Sequence, residues 1–149
     1  MAPYQEHALD GASPVELVVA LYDGIIRFLY EAVEAAERGD VDRRRAAVKR
    51  ALAILIHLQA RLRLDIGGSP AKALSEFYAS MFALILQGST GNSAERFEDA
   101  IRCVRNIRDA WRQVARESSQ SITASHSPAT SNTAGAPPSP DAEPIRWTA

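Results

Sequence analysis

Apolar residues recur every three or four positions along most of the chain, and the recurrence falls into four blocks. From Pro14 to about Arg38, Val18, Leu21, Tyr22, Ile25, Leu29, Ala32, Val33 and Ala36 line one face at helical spacing. Ser13 is suited to cap that helix, Pro14 loses nothing at a first position whose amide has no partner, and Glu16 stands where a capping-box carboxylate returns to the Ser13 amide. Gly39-Asp40 closes it, and Asp40 is placed to cap a second helix reaching about Ile66 through Val41, Val48, Leu52, Leu55, Leu58, Leu62 and Ile66. Gly67-Gly68 is expected to end that helix. Ser69-Pro70 repeats the cap-then-proline start, and Leu74, Phe77, Tyr78, Met81 and Ile85 mark the inner face of a third helix ending near Gly88, before a short polar turn to Asn92. Phe97, Ala100, Ile101, Val104, Ile107, Trp111 and Val114 form a heptad-like stripe suited to near-parallel packing. Connections this short force neighbours antiparallel, so the pattern predicts an all-α, antiparallel up-down four-helix bundle over residues 14–117.

The stripes do not absorb every apolar residue. Ile26, Phe28 and Tyr30 of the first helix, Ile54 and Ile56 of the second, and Phe82, Leu84 and Leu86 of the third lie off the inner faces. They imply a wide core or a homodimer face, or else exposed grooves that receive an amphipathic partner helix. Gly24 costs a helix about 1 kcal/mol relative to alanine, which points to helical slack or a closely approaching neighbour.

Composition changes this picture little within the bundle and sharply beyond it. The chain has 149 residues, 46% hydrophobic and 23% charged, with a formal net charge of −1. That balance fits one soluble domain and gives no drive toward nucleic acid or anionic membrane. Residues 1–40 hold eight acids against two bases and residues 41–66 two acids against seven bases, so the first two helices are electrostatically complementary. Arg43-Arg44-Arg45, Lys49 and Arg50 spread around the second helix without interleaved aromatics and read as a solvated face. No basic-then-apolar leader and no membrane span is read, and Cys103 alone cannot form an internal disulfide, so a cytoplasmic setting is expected. Residues 1–13 read as a short N-terminal arm. From Ser118 to Ala149, 22 of 32 residues are Ser, Thr, Ala or Pro, and a disordered tail is expected there, with Pro144-Ile145-Arg146-Trp147 an untethered end.

Candidate chemistry is sparse. His7, His57 and His126 are far apart, no Glu-x-x-His pair occurs, and no glycine-rich loop carries a Lys with Ser/Thr, so no metal, cofactor or catalytic group is expected. Cys103 sits beside the last stripe and reads as a small packed side chain, and His57 as a histidine at a helix edge, with phosphotransfer through it the weaker reading.

Six ordered patches carry a resemblance. Tyr4, Ser13-Pro14-Val15-Glu16-Leu17 with Leu21-Tyr22-Asp23-Gly24, Gly39-Asp40, Leu62 to Gly68, Tyr78-Ala79-Ser80-Met81, and Arg108-Asp109-Ala110-Trp111 together resemble the flagellar secretion chaperone family FliS across residues 4 to 114. The resemblance implies a cytosolic export chaperone that binds the disordered C-terminal segment of flagellin, prevents premature polymerisation and assists delivery to the type III export apparatus. It places Tyr4, Leu17, Leu21, Tyr22, Ile54, Leu58, Tyr78, Met81, Ile107 and Trp111 in core or groove as partner-binding candidates. Further partners it suggests are the export gate and an anti-sigma factor, with the protein a monomer or weak homodimer. A helical adaptor or regulator serving another cytosolic flagellar client is the alternative reading. Arg63 and Asp65 depart from the family's usual Asp and Glu, Ala79 and Ser80 replace an acidic residue and a second tyrosine, and Gly88-Ser89 stands for Ala-Asn.

Overall fold

A computed structural model describes residues 13–126, with side chains described as far as Ser121. Four helices follow one another with short connections: α1 Pro14–Arg38, α2 Val41–Ala60, α3 Leu64–Thr90 and α4 Ala94–His126. Strand pairing is absent among the described residues. The compact bundle unit closes at Ala115, and from Arg116 the chain belongs to a second unit.

The start of α1 forms as its residues dictate. The Glu16 amide donates to the Ser13 hydroxyl at 3.1 Å and the Ser13 amide to the Glu16 carboxylate at 3.0 Å, closing a full capping box. Gly39 terminates α1 in the left-handed region at φ 72°. Asp40 then caps α2 by accepting from the Arg43 amide at 3.1 Å.

Residue meetings establish the up-down order. Pro14 and Leu17 at the start of α1 gather with Leu58 and Leu62 at the end of α2, Leu74 early in α3 and Trp111 late in α4. At the other end the buried Arg44 of α2 donates to the Asn92 side chain at 2.7 Å, and Asn92 donates to the Ala36 carbonyl of α1 at 3.5 Å. This clasp corrects the reading of Arg44 as solvated: only 9% exposed, it joins the α1–α2 corner to the α3–α4 turn, while Arg43 and Arg45 stay exposed. Between the ends, Tyr22, Ile25, Leu29, Leu55, Ile85, Phe97 and Val104 are the largest fully buried side chains. Packing is close enough to require glycine at Gly88, where a Cβ would stand 2.9 Å from the Phe97 ring, and tight at Gly24, where it would meet the Ile54 Cδ1 at 3.0 Å.

Three boundaries differ from the periodic expectation. α2 ends at Ala60 rather than Ile66, because Arg61 and Leu62 tighten into a turn level with the start of α1, and a longer helix would overrun the bundle. Leu62 still packs on the core, but Ile66 is 71% exposed in a separate helical turn, Leu64 to Gly67, that breaks at Gly68 with φ 60°, ψ −147°. α3 continues past Gly88 to Thr90, and the turn is made at Gly91 and Asn92. α4 runs to His126, beyond the expected limit at Glu117. Ser, Gln, Thr and Ala there lack an apolar stripe but leave the backbone ladder unbroken, and the first proline after Trp111 is Pro128. Residues 127–149, including the Pro144–Trp147 stretch, lie outside the described residues. Val41 and Val114, counted on the stripes, are exposed at the ends of theirs.

Candidate functional site: two apolar concavities

Each of α1, α2 and α3 leaves one of its off-stripe apolar residues in solvent: Tyr30 on α1, Ile56 on α2 and Leu86 on α3 are exposed, while Ile54, Phe82 and Leu84 pack half-buried on the core. Ile26 is buried and Phe28 packs on the core under the guanidinium groups of Arg27 and Arg50, at 4.9 and 5.7 Å from its ring centre. By contrast Ile56 is 57% and Leu86 44% exposed. Ile56 joins Leu55, Gln59, Ala60, Tyr78, Ala79 and Phe82 around an apolar groove of about 470 Å³ between α2 and α3. A hydrogen bond from the Gln59 amide to the Ser75 hydroxyl bridges the two helices beside it.

The second concavity, about 260 Å³, opens at the bundle end and is lined by Pro14, Leu17, Val18, Leu21, Leu58, Arg61, Leu62, Leu74, Tyr78 and Trp111. Tyr78 lines both. Its position is fixed by a buried hydroxyl–hydroxyl bond of 2.7 Å to Tyr22, whose ring meets Trp111 edge-on at 6.3 Å between centroids. Burial, and secondarily the bond to Tyr78, pushes the Tyr22 hydroxyl far above the ordinary phenol range. Burial raises that of Tyr78 as well, with the Tyr22 bond opposing. Asp23, next to Tyr22, receives Arg108 at 2.9 Å and Arg112 at 3.5 Å, which seals α1 against α4, and the Asp23 bond raises the Arg108 pKa above its ordinary value.

The candidate residues therefore separate. Leu17, Leu21, Leu58, Tyr78 and Trp111 meet at the end concavity. Tyr22 and Met81 belong to the closed core. Ile54 packs against Gly24 at the α1–α2 seam, and Ile107 packs partly buried on the core, so neither lines a concavity. Tyr4 lies outside the described residues. The groove residues Gln59, Ala60 and Ala79 were not among the candidates. Ile56 and Phe82 were, but only as surplus apolar positions, and that surplus is the signal by which the sequence reports the groove. Cys103 is half-buried, and His57 is exposed beside Arg61. No group of three or more His, Cys, Asp or Glu able to hold a metal occurs among the described residues, and none of their helices is long and apolar enough to cross a membrane.

The bundle carries apolar concavities on its surface, the kind of feature in which helical proteins seat partner segments. The family described as Flagellar protein FliS matches residues 1–118. The chain is 35% identical over 115 residues to the flagellar secretion chaperone FliS of Salmonella typhimurium, covering 76% of this chain and 85% of that protein. It is 32% identical over 111 residues to that of Campylobacter jejuni, covering 74% and 87%, and 28% identical over 110 residues to that of Bacillus subtilis, covering 74% and 81%. The chain belongs to the FliS family of flagellar secretion chaperones, a family of chaperones and not of enzymes.

Proposed function

We propose that the protein captures the C-terminal disordered segment of flagellin in the cytosol, keeps it from polymerising and assists its delivery to the type III export apparatus. The observation that carries this reading is the α2–α3 groove, where Ile56 and Phe82 flank the small Ala60 and Ala79 over a floor of Leu55 and Tyr78. Small residues between large apolar ones admit a helix backbone closely and bury its apolar side chains. The end concavity is a second seat on the same surface, so a segment long enough to reach both would bury more area than either site offers alone. Such burial must exceed the entropy of ordering the segment, and a wrapped surface meets that requirement.

The test is calorimetric titration with the C-terminal segment of the host's flagellin and with flagellin lacking it. Tight binding with a strongly negative heat-capacity change, lost on deletion, is the expected result. No binding to the segment rejects flagellin as the client and moves the function to an adaptor for another flagellar protein, such as an anti-sigma factor.

A further inference from the structure

We infer that the α2–α3 groove selects a client helix carrying acidic residues beside its apolar anchors; this rests on the reading of the groove as a client site. Along α2 the exposed residues Arg45, Lys49, Ala53, Ile56 and Ala60 follow one another at steps of three and four, and so share a stripe. Ser75, Ala79, Phe82 and Leu86 do the same on α3. The Gln59–Ser75 bond near one end and the Arg44–Asn92 bond near the other fix the antiparallel register, which places Lys49 and Arg45 toward the Leu86 end of the apolar strip.

Charge at that end is mostly positive, with Arg43, Arg45 and Lys49 exposed against Asp42, the one carboxylate of α2. Residues 41–90 hold eight Lys and Arg against three Asp and Glu, although the whole chain is close to neutral. Of the three acids, Asp42 lies in the first turn of α2, Asp65 is paired with Arg63, and Glu76 stands at the Ser75 end. No Asp or Glu follows Asp42 in α2 or Glu76 in α3. Several cations elsewhere in the bundle are engaged: Arg108 and Arg112 by Asp23, Arg63 by Asp65, Arg27 and Arg50 by the Phe28 ring. Arg45 and Lys49 enter no ion pair among the described residues and remain exposed. A helix seated by its apolar face against Ile56 and Phe82 and continuing about two to three turns toward Leu86 places its flanking positions alongside these cations, since Lys49 lies about 10 Å and Arg45 about 16 Å from Ile56 along α2. Asp or Glu there is attracted, Lys or Arg repelled, and the groove discriminates between helices of equal hydrophobicity.

The probes are two synthetic amphipathic peptides with one apolar stripe, bearing Glu or Lys at every flanking position. They are titrated, beside the flagellin segment, into the full chain, an Arg45→Glu/Lys49→Glu variant and an Ala79→Arg variant that fills the groove. The Glu peptide is expected to bind the full chain about tenfold or more tightly at low salt. The gap closes toward about 0.5 M salt, where the Debye length is only a few ångströms, and the double variant reverses the preference. Equal affinities at low salt, or a preference that survives Arg45→Glu/Lys49→Glu, overturn the charge selection while leaving the groove as the client site. If neither peptide binds and Ala79→Arg leaves flagellin binding intact, the groove reading itself falls.

Discussion

Where α1 meets α4, Tyr22 stacks edge-on against Trp111, its hydroxyl bonds Tyr78 of α3, and Asp23 ties down Arg108 and Arg112. Where α2 meets α3, the one side-chain hydrogen bond between them among the described residues is Gln59 to Ser75, Ile56 and Phe82 line an open groove, and Leu86 is exposed further along α3. Both seams draw on the same kinds of residue. In the first, each large side chain has a partner and each buried polar group a hydrogen bond, so the seam specifies the fold. In the second, alanines stand where larger residues would complete the packing, and apolar surface stays open between the helices. On the proposed reading, stability rests mainly on the first seam and client binding mainly on the second, with Tyr78 bonded in the first and lining the groove, and Trp111 of the first seam lining the end concavity.

That division is open to attack by substitution. Tyr22→Ala removes a fully buried ring and leaves the Tyr78 hydroxyl without its partner, so it should cost about 3–5 kcal/mol in urea denaturation. A loss under about 1 kcal/mol would show that the closed seam does not hold the bundle. Ala79→Arg should do the converse, lowering affinity for the flagellin segment about tenfold or more while unfolding stability moves by about 0.5 kcal/mol or less. An equal loss of both would erase the distinction between the seams. Asp23→Asn removes the partner of Arg108 and Arg112, and because Asp23 is partly solvated the cost should be about 1 kcal/mol. That cost should shrink in high salt, whereas Ala79→Arg should be indifferent to salt in its stability.

The smallest effect expected is on alkaline stability. The hydroxyl pKa values of Tyr22 and Tyr78 are raised in the folded state, so their contribution is complete below the unfolded-state value of about 10 and declines as pH rises above it. The unfolded chain gives up those protons first, and stability falls. Tyr78→Phe should make the fall shallower, and an unchanged slope would mean the pair is not what titrates.

The legible and illegible parts of the sequence divide along physical lines. Ser13-Pro14 with Glu16, and Asp40, located two helix starts because caps are local chemistry written in adjacent residues. The end of α2 was misplaced because Leu58, Leu62 and Ile66 keep helical spacing across a turn, and periodicity does not register where the neighbouring helix begins. Arg44 looked solvated because its neighbours are: its burial depends on Asn92, 48 residues away. For the site, the excess of apolar residues on α2 and α3 left a wide core, a homodimer face and a groove all open. The structure divides that excess: Ile54, Phe82 and Leu84 pack on the core while Ile56 and Leu86 stay exposed, whereas the family motif points to Tyr22 and Met81, which the fold encloses. A motif marks what a family keeps, and tight packing and client contact leave similar traces in one sequence.

The most direct test is methyl NMR with isoleucine δ1 labels during titration with the flagellin segment. Ile25 and Ile85 report the closed core, Ile54 the α1–α2 seam, and Ile56 the groove. The account predicts that the Ile56 methyl shifts most and acquires contacts to the segment, while Ile25 and Ile85 scarcely move. Saturated binding with Ile56 unmoved would contradict it.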